Sequence, residues 1–132
     1  ATVDDGVDAS VSITNFGTGD VINTGASNGI FYNNYAGGAQ AVDSGAIIEI
    51  DAAEFQAGVP TNTANVLAWL DAAGVTNTTG GETATVIAYN GAGSAAIYHV
   101  AENTGPGSEF DDIELIGIVD AADNSFIGAN FA

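Results

Sequence analysis

The chain has 132 residues, enough for one domain with a buried core. It carries 17 acidic residues and neither lysine nor arginine, so its formal net charge is -17. Nucleic acid and anionic membrane surfaces repel such a chain, because no side chain can replace the counterions of phosphate groups. We therefore expect any charged partner to be a cation or a basic surface.

The composition also restricts the class of protein. There is no cysteine, so burial rather than a disulfide must stabilise the fold. Hydrophobic residues make up 46% of the chain, with 18 glycines, which is typical of a β-rich globular domain rather than a disordered segment. The longest apolar runs are far shorter than a membrane span, which predicts no membrane insertion.

The first third of the chain divides at about residue 11. Residues 1–10 are polar and acidic, which predicts a flexible or exchangeable N-terminal segment. Residues 11–132 are predicted to form a single β-rich domain. It starts with the alternating strand 11–16, and a short aromatic strand follows at 30–32.

The middle of the chain predicts one buried strand and one helix. Residues 46–51 are almost continuously apolar, which indicates burial on both faces of a sheet. A helix is predicted over about 62–73, because Val66, Trp69, Leu70 and Ala73 follow helical spacing and Gly74 supplies a stop.

The last third predicts a hairpin followed by a long strand. Residues 83–89 and 94–101 flank an Asn-Gly turn, the strongest hairpin signal in the chain. In the strand 109–120, alternation places Ile113, Leu115 and Val119 on one side. The other side carries Asp112, Glu114, Phe110, Ile116 and Ile118. The predicted fold class is mostly β, an antiparallel β-sandwich or β-roll with one short α-helix.

This order of elements resembles the C-terminal region of bacterial type I-secreted RTX-like proteins, among them surface-layer proteins and adhesins. The resemblance lies in the Tyr-containing strand pair, in Asp111 to Val119 and in Asn130-Phe131, with residues 13–22 as a looser match. The calcium-binding Gly-Gly-x-Gly-x-Asp repeats of that family are absent. The resemblance implies an extracellular, exported β domain that caps or assembles.

A cation site is predicted around the acidic loop before the last strand. Its candidate ligands are Glu102, Asn103, Glu109, Asp111 and Asp112. Calcium binds six to eight oxygens on a bendable loop, which this segment offers without the strict spacing of an EF-hand. The alternative is that these are solvated carboxylates of a turn.

The sequence also bears on sugar binding and on catalysis. Tyr32 and Tyr35, beside two asparagines, are candidates for a sugar-binding platform, with a simple strand margin as the alternative. Catalysis is not expected, because no nucleophile elbow is present and Asp111 and Asp112 point to opposite faces of a strand. His99 is expected to be a packed or edge histidine, and a hydrolase remains a remote alternative.

The sequence therefore predicts a non-catalytic extracellular structural module of a bacterial surface layer, filament or adhesin. Its expected partners are copies of itself or other surface-protein subunits, and calcium is its candidate cofactor. Assembly by strand addition would use the N-terminal segment and first strand, with Val3, Val7, Val11 and Ile13 as the candidate residues. The alternative is a glycan- or cation-binding adhesin module.

Overall fold

The computed structural model describes residues 11–13, 16, 19–23, 28–55 and 62–132. The predicted assembly residues Val3 and Val7 lie outside the described residues. Two 3-10 helices lie at Ala52–Glu54 and Gly128–Asn130. The strands and the helix are β1 Val11–Ile13, β2 Phe31–Tyr35, β3 Gln40–Val42, β4 Ala46–Ile50, α1 Thr63–Ala73, β5 Val75–Asn77, β6 Thr83–Tyr89, β7 Ser94–Ala101 and β8 Asp112–Asp120.

Six strands form one mixed sheet in the order β1-β8-β7-β6-β4-β2, and β3 pairs with β5 in a small parallel sheet. The mostly β class with one short helix is confirmed. Within the described strands of the large sheet, antiparallel pairing is confined to the meander β6-β7-β8, whereas β1 with β8, β4 with β6 and β2 with β4 pair in parallel. The parallel pairing of β4 with β6 arises because the chain crosses over through α1 between these strands.

The helix α1 forms where the sequence predicts it. The Asn62 side chain accepts a hydrogen bond from the Asn65 N–H (2.9 Å) and caps the N-terminus. Gly74 ends the helix with a φ of 77°, a left-handed conformation that glycine adopts without strain. The apolar face of the helix buries Val66 and Leu70 completely against the sheet.

Alternation in the central strands sends apolar side chains to both faces of the large sheet. Ile48 and Val86 pack with α1 in a cluster that we call the helix-side core. Ile47 and Ile87 point the other way and pack with Phe126 in the tail-side core, which the C-terminal segment covers. Every residue of β4 is buried, which confirms the predicted burial on both faces.

A β-bulge in β8 corrects the predicted side-chain pattern of this strand. Ile97 pairs with Gly117 and Tyr98 pairs with Leu115, so Ile116 is an extra residue. An extra residue shifts the alternation by one. Ile113 and Leu115 consequently pack on the helix-side core, whereas Val119 lies in the tail-side core. The prediction that these three residues share one side is wrong.

The two edges of the large sheet are β1 and β2. β1 pairs with only three residues of the nine-residue β8, from Gly117 to Val119. Among the described residues, no strand pairs with the outer side of β8 from Asp112 to Ile116 or with the outer side of β2. No helix in the described part of the chain is long and apolar enough to cross a lipid bilayer.

Candidate functional site

The acidic loop between β7 and β8 is organised by Glu102, which is buried at 1% exposure. Its Oε2 accepts from the Gly81 N–H (2.9 Å), and its Oε1 accepts from the Gly105 N–H and the Thr104 hydroxyl (2.6 Å each) and from the Thr104 N–H. The Thr104 hydroxyl is the main cause that lowers the pKa of Glu102 to about 2, against the opposing effect of burial. Both oxygens thus hold the loop together.

A second buried carboxyl group and an amide fix the facing loop. Glu82 accepts four hydrogen bonds from the N–H and hydroxyl groups of Thr78 and Thr79. Burial opposes ionisation, but these bonds outweigh it and hold the pKa of Glu82 below its usual value. Asn77 joins the two loops, since its Nδ2 donates to carbonyl oxygens in the 102–108 loop and its Oδ1 accepts from backbone N–H groups.

The predicted calcium ligands are only partly brought together. Asn103 donates to Asp111 Oδ1 from its backbone N–H (3.1 Å) and its side-chain amide (3.2 Å). Glu109 is held opposite Thr76 by an isolated bridge. Asp112 begins β8 and is exposed, while the oxygens of Glu102 serve its own loop. Among the residues that the structure describes, no group of three or more acidic or histidine side chains is placed to hold a metal ion.

Glu109 and Asp111 instead border a groove of about 620 Å³ between α1 and the 104–111 loop. Asp71 of α1 faces the same groove, and its Oδ1 is buried without a hydrogen-bond partner among the described residues. Burial, with the charge of Glu109 as a second cause, raises the pKa of Asp71. The groove also has apolar walls, which Leu67 and Phe110 provide. It is an acidic groove that favours cations over anions.

The tyrosines proposed for sugar binding lie on the edge strand β2. Tyr35 meets Trp69 edge-on, with ring centroids 5.8 Å apart, and its hydroxyl donates to the carbonyl oxygen of Gly38. Burial, then the neighbouring Tyr32, raises the pKa of Tyr35. The space that both tyrosines line with Val42 has no room for a water molecule. Both rings pack partly against the helix-side core.

Sequence reasoning missed a buried carboxyl group in the tail-side core. Glu49 is fully buried, and its Oε2 accepts from the Tyr89 hydroxyl (2.6 Å) and the Phe126 N–H (3.2 Å). Its Oε1 accepts from the Asn34 N–H (3.2 Å). The Tyr89 oxygen in turn accepts from the Ser125 N–H (3.1 Å). This network attaches the C-terminal segment to the sheet, and it joins the edge strand β2 to β4.

Three buried glutamates therefore have structural partners, and two features remain open to a ligand or partner. One is the acidic groove. The other is the pair of open sheet edges, where backbone groups can accept a further strand. Comparison of the chain with protein-family models, curated proteins and solved structures finds no match.

Proposed function

We propose that the chain is a non-catalytic structural module of a secreted bacterial surface protein, which assembles with copies of itself by strand addition. The observation that carries this proposal is the open mixed sheet. Its edge strand β1 leaves the outer side of β8 from Asp112 to Ile116 unpaired by any described strand. Unpaired strand edges offer rows of N–H and C=O groups that template pairing with another chain.

The roles of the buried carboxyl groups support the non-catalytic part of the proposal. Glu49, Glu82 and Glu102 accept three or more hydrogen bonds each from hydroxyl and backbone N–H groups. Carboxylates engaged in this way hold loops and strands in place. The extracellular location, bacterial source and export by a type I route rest on the resemblance to RTX-like C-terminal domains.

Calcium enters the proposal as a modulator of assembly. Seventeen acidic side chains with no basic ones repel each other, and divalent cations screen or bridge such charges. We expect millimolar calcium to promote association of the chain. Electron microscopy and light scattering of the purified chain, in chelator and in calcium, test this. A monomer under every condition contradicts the assembly part of the proposal.

The acidic groove favours a second candidate, a cation-binding adhesin module. Asp71 Oδ1 has no hydrogen-bond partner among the described residues, and a cation bound next to Glu109 would give it one. A ligand that binds only the native state raises the melting temperature. A calcium-dependent rise in the melting temperature of the chain that Asp71→Asn abolishes would favour this candidate. An unchanged rise in the Asp71→Asn variant would place the cation elsewhere.

A further inference from the structure

One edge of the large sheet is formed by a stretch of the chain without charged side chains. Residues 21–42 contain no charged side chain, which makes them the longest uncharged stretch of the chain. The next longest stretch, 83–101, forms the central strands β6 and β7, where burial explains the lack of acids. The 21–42 stretch instead includes the edge strand β2, where Asn33 and Asn34 are exposed.

Two of the exposed large apolar side chains among the described residues lie in the same uncharged stretch. Val21 is 48% exposed and Ile30 is 39% exposed, and both belong to the uncharged stretch. Ile127, 45% exposed, adjoins Gly128, whose backbone lies against the Phe31 side chain. Another exposed large residue in the described part of the chain, Ile118, lies on β8 at the opposite edge, paired with Ser12. Ile30 and Ile118 thus place exposed apolar side chains beside both edges of the large sheet.

We infer that the neutral β2 edge is the surface on which a second copy of this chain docks, through the β1/β8 edge of that copy. This inference rests on the strand-addition function proposed above and names its two contact edges. The argument for the occupant is charge. A copy carries a net charge of -17, so acids on both sides of a contact repel within about 8 Å at physiological salt. A contact with one acid-free side avoids that repulsion.

Charge also disfavours one of the possible pairs of edges. The β8 edge carries the exposed Asp112 and Glu114, so two β8 edges would set acids against acids, which is destabilising. Among the described residues, the strand β2 itself carries no acid to oppose them. A basic partner, by contrast, would gain nothing from an acid-free surface and would dock elsewhere. Charge therefore disfavours two β8 edges and permits β2 of one copy against β8 of the next.

The strand directions are compatible with this contact. Five of the six strands run in the same direction, and β7 alone runs in the opposite one. A copy added with the same orientation therefore continues the sheet through parallel pairing, as β2 with β4 and β1 with β8 already do. Such a heterologous contact leaves one free edge of each kind, so addition can repeat into a filament.

The test adds a single negative charge to the β2 edge of the full chain. Asn33→Asp is nearly isosteric and Ile30→Asp charges the neighbouring apolar residue, while Ala64→Asp adds the same charge at an exposed position in the first turn of α1. An acidic residue in the first turn of a helix is compatible with the helix dipole, so Ala64→Asp is a matched control. Sedimentation velocity over a range of protein concentrations measures association, and melting curves check folding.

We expect both edge variants to weaken self-association about tenfold or more, because a like-charge contact opposes binding. High salt should restore association of Asn33→Asp, and Ala64→Asp should match the wild type. Wild-type association in both edge variants would overturn the inference and leave the assembly function standing. An equal loss in Ala64→Asp would also overturn it, because total charge would then be the cause. A wild type that never associates would remove the proposed function and this inference together.

Discussion

Removal of one hydroxyl group should show how strongly the buried network stabilises the fold. Tyr89→Phe deletes the oxygen that donates to Glu49 Oε2 at 2.6 Å and accepts from the Ser125 N–H at 3.1 Å. The ring itself stays, together with its packing against Phe126 at a centroid distance of 6.2 Å. The change therefore isolates the hydrogen bonds from the apolar contacts.

The size of the effect follows from which group loses its partner. A hydrogen bond to a charged group contributes about 1.5–3 kcal/mol to the free energy of unfolding. Glu49 loses its shortest hydrogen bond, and because it is fully buried its carboxylate cannot replace this bond with one to water. Ser125 is exposed, so its N–H can find water at little cost. We therefore expect Tyr89→Phe to lower the free energy of unfolding by about 1.5–3 kcal/mol.

Urea unfolding at neutral pH measures this difference, with Tyr32→Phe as the matched control. Tyr32 is a partly buried residue of the edge strand β2. Removal of its hydroxyl should change the free energy of unfolding by less than about 0.5 kcal/mol. The two variants should share the urea dependence of the wild type, which keeps the comparison two-state. Equal effects of the two substitutions would refute the structural role assigned to the Glu49 network.

Three further predictions concern pH and charge. The pKa of Glu102 is lowered from 4.5 to about 2, so this residue stabilises the fold fully above pH 4.5 and loses its contribution as the pH falls towards 2. In Glu102→Gln the free energy of unfolding should therefore depend less on pH within that window. Burial raises the pKa of Tyr98 to about 12, whereas a tyrosine in the unfolded chain ionises near pH 10. The free energy of unfolding should therefore fall as the pH rises from about 10 to 12. Tyr98→Phe should reduce that fall, which urea unfolding at each pH measures. Asp71→Asn should raise the urea midpoint at pH 7, because burial and Glu109 disfavour the charged form of Asp71. This gain should vanish below pH 3.8, and a gain that persists in acid would contradict the electrostatic cause.

Local patterns predicted the elements that local contacts determine. The helix follows from the spacing of Val66 and Leu70 and from Gly74 as its end, and the hairpin follows from the Asn-Gly turn between β6 and β7. The bulge at Ile116 and the parallel pairing of β1, β2 and β4 depend on partners distant in sequence. The alternation of residues within one strand contains no information about such distant partners. For this reason the predicted side-chain pattern of β8 is wrong.

The same distinction applies to the acidic residues. The loop around Glu102 is predicted to offer oxygens to a cation, and in the structure the Glu102 oxygens accept hydrogen bonds from Thr104 and from backbone N–H groups. A threonine two residues after a glutamate was the available signal. Glu49 also had a signal, because an acid inside a strand predicted to be buried on both faces must itself be buried. Its partners Tyr89 and Phe126 come from remote segments that the sequence could not place.

The most direct test of assembly through the β2 edge is amide hydrogen exchange of this strand, Phe31–Tyr35, in dilute and in associated protein. Strand addition forms new backbone hydrogen bonds along this edge. We predict that the amides of β2 that do not bond to β4 exchange more slowly in the associated protein. Association that leaves the exchange of β2 unchanged would contradict the account, since the contact would then lie on another surface.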